Sequence, residues 1–319
     1  MANETTTSTA DDITNASLVQ PYMVKALSEV GGLWRFAKSF DITGQGTAAA
    51  KIPVEASWWG SPDDDGAGVD TEFNAAQGTD LSNTAVSTNG VTITTAEYGI
   101  AIEPTDNVQE DQVDGLDFLG MVERRMLAVL DLALEDDFLA LLAGLSNSVG
   151  SSTNDLTVAQ LLAATTGIRT RGANADGLVG VLDNQQASDI QGALTATSTS
   201  VATFAPAADR IIGFQPSADR GLGMIRQIGS FAGNTALFST GLTDTANTGA
   251  DVVGGVFVPS TAVNDNFGHV TFGVAWKRLP RFETERHATK RTTHLVVTGR
   301  AGFAELLDGS GTSVITDAP

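Results

Sequence analysis

Apolar and polar positions change period several times along this chain, and the changes divide it. The first twelve residues, MANETTTSTADD, carry no apolar pattern and are expected to form a mobile arm. Apolar residues return at Leu18, Val19, Tyr22, Val24, Leu27, Val30, Leu33, Trp34 and Phe36. Pro21 and the pair Gly31-Gly32 interrupt them, which predicts short helical pieces in place of one long helix. Residues 44–99 are rich in Gly, Thr, Ser, Asn and Asp, with strand-like stretches at 50–59 and 85–102, the pattern of a long hairpin. Within VTITTAEYGIAI, Val91 and Ile93 alternate with threonines, and Tyr98, Ile100 and Ile102 continue the alternation, so one strand face is apolar.

From 113 to 145 the period becomes helical. Leu116, Leu119, Met126, Leu127, Leu130, Leu134, Phe138, Leu141, Leu142 and Leu145 recur at steps of three and four, while Glu123, Arg124, Asp131, Glu135, Asp136 and Asp137 are expected mostly on other faces. A helix of roughly 30 residues would be a rod of about 45 Å. Gly144, Gly150 and the Ser/Asn run between them end it. A second unit opens at Thr157, whose spacing to Gln160 has capping-box form ahead of Leu161, Leu162 and Ile168. Residues 177–182, GLVGVL, read as a buried strand, and 184–196 as a helix with Ile190 and Leu194 inside. Between 197 and 260, short apolar groups such as Ile211-Ile212 and Val256–Val258 predict strands joined by long loops. Stretches 270–276, 281–285 and 294–298 read as strands of a closing sheet, with 303–307 near the end.

Composition narrows the functional classes. At 319 residues and 42% hydrophobic content the chain can bury a core, on the length of about two domains or of one elongated domain with excursions. No apolar run reaches the 18 or so residues of a bilayer span, and the N-terminus lacks the basic start and apolar middle of a secretory signal; a soluble intracellular product is expected. With no cysteine there are no disulfides, thiolate nucleophiles or thiolate zinc sites. A net charge of -20 disfavours sequence-specific DNA binding.

The charge is unevenly placed. Residues 52–123 contain fifteen acids and no Lys or Arg, whereas Lys277, Arg278, Arg281, Arg286, Lys290 and Arg291 face only Glu283 and Glu285 between 277 and 291. Charge runs of this kind are ordinarily two solvated faces. The sharper reading is mutual attraction between copies of the chain. Trp58 and Trp59 are adjacent in the expected hairpin, so their side chains point to opposite faces of an element with little apolar cover. Either the hairpin folds back on its own body, or its aromatic anchors and the neighbouring Asp63, Asp64 and Asp65 dock on a neighbour.

Catalytic motifs are missing. There is no G-x-S-x-G elbow, no G-x-x-x-x-G-K-[ST] phosphate loop, and neither Gly44-Gln-Gly46 nor Gly221-Leu-Gly223 has the third glycine of a dinucleotide loop. His269, His287 and His294 lack the i, i+4 spacing that sets two imidazoles on one helical face, so no metal site is expected of them. The Asp63-Asp64-Asp65-Gly66 turn, with Asp70 and Glu72, departs from the calcium-loop order. No cofactor and no catalysis are expected.

The order of parts has a counterpart. A polar N-terminal arm, an acidic hairpin entering at TAEYGIAIEPTDNVQEDQ and the long helix DFLGMVERRMLAVLDLALEDDFLALLAG together resemble the major capsid protein of tailed double-stranded DNA bacteriophages, with the Hong Kong 97-like fold. FGVAWKRLPRFETERHATKRTTHLVVTGRAGFAELL resembles that family's closing peripheral strands. The resemblance covers nearly the whole chain and lies in element order, not in an invariant motif. It implies an α+β fold: N-terminal arm 1–43, extended β-hairpin loop 44–99, peripheral domain with spine helix 100–151, axial domain 152–270, and peripheral return strands 271–319. It also implies a structural subunit that self-assembles into hexamers and pentamers of an icosahedral shell around double-stranded DNA, assembled in the host cytoplasm. Separate scaffolding, portal and decoration proteins are its expected partners, with no membrane.

In that family the extended loop lies across a neighbour's peripheral domain, which would bring the acidic loop to the Lys277–Arg291 cluster. Some members cross-link copies through a Lys–Asn isopeptide bond; here the loop's only lysine, Lys51, sits at its base, so no cross-link is expected. Some carry a long scaffolding segment before the arm, for which the residues ahead of 31 are too few. Other readings stay open: an encapsulin-like nanocompartment shell of the same fold, an acidic calcium-binding hydrolase or carbohydrate-binding protein, and a surface-layer or fibre protein, which would carry a secretion signal.

Overall fold

The computed structural model describes residues 4–5, 32–55, 88–110, 118–171, 177–196, 212–213, 225–231, 235–240, 251–261 and 269–317. The elements run β1 (Glu4–Thr5), a 3-10 turn (Leu33–Phe36), β2 (Lys38–Asp41), β3 (Ala49–Glu55), β4 (Thr88–Thr94), β5 (Ala96–Pro104), α1 (Asp106–Glu110) and α2 (Phe118–Ala140). After a 3-10 turn at Leu141–Gly144 come β6 (Ser148–Gly150), α3 (Val158–Thr170), β7 (Val179–Asp183), α4 (Asn184–Ala196) and β8 (Ile212–Gly213). Then follow β9 (Ile225–Phe231), β10 (Thr235–Thr240), β11 (Asp251–Phe257), β12 (Phe272–His287), β13 (Thr292–Glu305) and β14 (Gly311–Asp317). The mixture of helix and strand is the α+β class expected of the chain. No helix among the described residues is long and apolar enough to cross a membrane.

A five-stranded sheet has the order β1-β5-β13-β12-β2, with β5, β13 and β12 antiparallel. The alternation in VTITTAEYGIAI determines which face is covered. Tyr98, Ile100 and Ile102 share a face with Leu295 and Val297 and meet Val122, Met126 and Leu130 of α2. The expected rod from 113 to 145 is an α-helix over Phe118–Ala140, about 35 Å long. It tightens to 3-10 geometry at Leu141–Gly144 and stops where Leu145 turns extended. Residues 113–117 lie outside the described ones.

A seven-stranded sheet has the order β6-β14-β11-β7-β10-β9-β8. Its centre is buried on both sides, as the unbroken apolar run GLVGVL predicts. Leu178 and Leu182 pack under α3 and α4, while Val179 and Val181 face the end of α2. The capping box at α3 is present: Thr157 Oγ1 accepts from Gln160 N, and the Gln160 side chain accepts from Thr157 N. Gln186 of α4 fills a buried polar slot, donating from Nε2 to the Val252 and Val314 carbonyls and to Thr316 Oγ1. Gly150 closes β6 at φ +89°, where a Cβ would stand 2.1 Å from the Ile315 carbonyl oxygen; no other residue fits there.

The end of α2 is wedged between the two sheets. Phe138 lies 5.8 Å from Phe257 of β11 and 5.4 Å from Phe272 of β12, both edge-on, so one ring joins three elements. The third, two-stranded sheet is the hairpin stem, β3 paired antiparallel with β4 from Ala49–Thr94 to Glu55–Thr88.

Two expectations about strands are corrected. Stretches 270–276 and 281–285 are one strand, β12, whose register shifts between Trp276 and Arg281. Pro280, without an N–H to donate, lies in that irregular part. Residues 271–319 do not all return to the closing sheet: β14 pairs with β11 and β6 in the seven-stranded sheet. The turn at Asp308–Ser310 redirects the chain, and buried hydrogen bonds between Thr271 and Ser310 hold it there.

Candidate functional site

The basic residues of 277–291 sit along β12 and the turn that follows it. β12 runs beyond the covered part of its sheet, so side chains from Leu279 onward are mostly exposed or half-exposed. Lys277 Nζ donates to the carbonyl oxygens of Ile42 and Gln45 at the foot of the hairpin stem. Arg278 pairs with Glu97 at 2.6 Å, and Arg286 makes a bidentate pair with Asp106 at 2.5 and 2.6 Å, which raises its pKa. Lys290 stands 3.6 Å from Glu103, and Arg281 pairs along its own strand with Glu283. Arg291 takes a left-handed backbone, φ 53°, that closes the turn, and its carbonyl accepts from Asp106 N.

Glu97, Glu103 and Asp106 all belong to the acidic stretch 52–123. The complementarity between the two ends of the chain is therefore met in part within a single chain, because β5 lies beside β13 and brings the acids to the β12–β13 hairpin. The rest of the expected contact set, Trp58, Trp59, Asp63, Asp64 and Asp65, lies outside the described residues.

Glu103 is the centre of this end. It accepts from Thr292 Oγ1 at 2.6 Å, faces Lys290, and lies 3.2 Å from His287 Nδ1. The Thr292 hydroxyl leads in holding its pKa low, with Lys290 and His287 contributing. On the same face Glu285 is paired opposite His294, and the His287 and His294 rings are 5.6 Å apart. Helical spacing was the wrong test for these histidines; cross-strand register brings them together.

A second arrangement was missed. Glu135, expected on a polar face of the long helix, is fully buried. Its Oε2 accepts from the backbone N–H groups of Gly32, Leu33 and Trp34 at 2.9, 2.9 and 3.2 Å, capping the first 3-10 turn from another element. Burial pushes its pKa up to about 7 against those three bonds, with Asp131 adding to the rise. Trp34 completes the attachment, donating from Nε1 to Asp131 and meeting Trp276 edge-on at 5.5 Å. The sequence signal was faint: an acid one position after Leu134, on the border of the apolar stripe.

No protein-family model matches the sequence, and no curated protein does. Solved structures do. The acid-stable capsid of Helicobacter pylori bacteriophage KHP30 aligns with a TM-score of 0.66 at 12% identity, covering 100% of this chain and 99% of that one. The capsid of Ralstonia phage GP4 aligns at 0.64 and 9% identity over 96% of each chain, and that of cyanophage P-SCSP1u at 0.62 and 12% over 100% and 97%. At these identities the likeness is one of fold, and it runs from end to end.

Proposed function

We propose that this chain, which has the fold of bacteriophage capsid subunits, is itself a major capsid protein: a structural subunit, not an enzyme, that assembles into a shell as part of the virion. The observation that carries the reading is the full-length match. The alignments take in nearly every residue of this chain and of the phage capsid chains, so the likeness extends to the order of all the parts and not to one domain. The finer reading is that copies form hexamers and pentamers of an icosahedral shell around double-stranded DNA, with separate scaffolding, portal and decoration proteins as partners and assembly in the host cytoplasm. The division into arm, extended loop, peripheral and axial parts belongs to the same proposal. The five-stranded sheet with α2 is its peripheral part, and the seven-stranded sheet with α3 and α4 its axial part.

A net charge of -20 accords with an inner wall that does not hold the genome tightly. In this reading Trp58, Trp59 and the Asp63–Asp65 turn reach a neighbouring subunit. The basic side chains exposed on β12 meet the acidic loop there, and the array acts through number and steering, since single exposed pairs contribute little. Electron microscopy of the chain expressed alone tests the reading: closed shells support it, and monomers alone count against it. Nuclease-resistant double-stranded DNA inside particles from producing cells supports a genome container, whereas particles filled with an enzyme cargo identify a nanocompartment.

A further inference from the structure

We propose that Glu285, His287 and His294 form a binding site for a divalent transition-metal ion of the zinc class at the outer end of the β12–β13 hairpin, an inference that goes beyond the shell reading and stands without it. Glu285 is directly opposite His294 in the ladder, and His287 lies two residues farther along the same strand. Strand alternation therefore puts all three side chains on one face of the sheet. One ligand atom from each lies within 4.8 Å of the other two. Tetrahedral zinc with bonds of about 2.0–2.2 Å holds its ligand atoms roughly 3.3 Å apart, so modest side-chain rotations complete the set. Glu285, with its side chain 74% exposed, has the freedom to make most of that movement.

A neighbouring contact assigns the nitrogen. His287 Nδ1 faces Glu103 Oε1 at 3.2 Å, and that carboxylate oxygen, which also accepts from the Thr292 hydroxyl, is an acceptor for a ring N–H. With Nδ1 directed at that carboxylate, Nε2 is the nitrogen left to face a metal, and it stands 3.7 Å from Glu285 Oε2. That gap is too long for a direct hydrogen bond and suits a bridging cation. A carboxylate behind a metal-bound imidazole fixes its tautomer and raises its basicity, the role Glu103 would take. Two imidazoles and a carboxylate favour zinc, copper(II) or nickel(II) over magnesium or calcium, which prefer oxygen ligands throughout. Glu283, on the same face, is paired with Arg281, and the Lys290 ammonium is engaged with Glu103, so neither of these cations is free to oppose an ion at the site. A bound ion would pin β12 to β13 next to the turn that joins them.

Titration of zinc chloride into the chelator-treated, full-length chain tests the site, followed by calorimetry and by the visible absorption of cobalt(II) as a substitute ion. The expected result is one ion per chain and a four- or five-coordinate cobalt spectrum. His287→Ala and His294→Ala should each weaken binding by roughly tenfold or more, Glu103→Gln should weaken it roughly 10–100-fold, and His269→Ala should leave it unchanged. Glu285→Gln, a surface change that keeps the side chain's shape, gives a further variant in which binding should fall. Absence of saturable binding, or binding indifferent to His287 and His294, overturns the proposal. Because binding is counted per chain, the result does not depend on whether the chain assembles.

Discussion

Burying a carboxylate costs free energy unless donors meet it, and at Glu135 three backbone N–H groups meet one oxygen while Oε1 has no partner among the described residues. The consequence is a pH dependence with a definite sign. Its folded pKa, about 7, lies above the ordinary carboxylate value of 4.5, so between these two the native state holds a proton that the unfolded chain has released. Glu135 therefore favours the fold most at the acid end, and its contribution falls as pH rises from about 4.5 to 7, by roughly 3 kcal/mol at most. Glu305, also raised to about 7 by burial and by Asp308, changes stability in the same direction. Comparison with Glu135→Gln isolates the one residue. In urea unfolding of unassembled subunits, the parent should lose stability relative to that variant between pH 5 and pH 8, by roughly 1–3 kcal/mol. A difference constant across that range would contradict the assignment. Local polar pattern could not reveal this residue, because an acid at the edge of an apolar stripe becomes buried only when a distant segment supplies its donors.

Among the elements, α2 is the joint. Its first half covers the five-stranded sheet, and its last turns enter the gap between that sheet and the seven-stranded one, where Phe138 touches Phe257, Phe272 and Phe303. Phe138→Ala should cost roughly 3–5 kcal/mol and lower the cooperativity of unfolding, since the ring belongs to both sheets' packing. Loss of stability without a change in the slope of the denaturation curve would show that the sheets do not depend on this contact for coupling. The helix was legible from its apolar steps, as were the GLVGVL strand and the capping box at Thr157, because in each a local period or motif agrees with the tertiary environment. β14 was not legible. GTSVITD is short and threonine-rich, and it becomes a central strand only through its neighbours β11 and β6. The charged hairpin was half legible: the residues stand out in the sequence, but their partners follow from the β5–β13 register, which no local pattern states.

At the scale of the whole molecule, the charge map serves the lone chain and, in the proposed reading, contacts between copies as well. Arg278, Arg286 and Lys290 are engaged by Glu97, Asp106 and Glu103 of their own chain, so reversing Arg286 would disturb the subunit itself. Arg281 is the cleaner probe, being exposed and paired only with its strand neighbour Glu283 among the described residues. Arg281→Glu should leave the unfolding curve of the subunit nearly unchanged and reduce particle yield, most clearly at low salt, where exposed charges are least screened. Equal yield and salt resistance would remove β12 from the intersubunit contact. The most direct measurement is sedimentation velocity of the purified chain over a wide concentration range. The account predicts that subunits give way to capsomers or to one fast, uniform shell species as concentration rises, and a single monomer boundary at every concentration would contradict it.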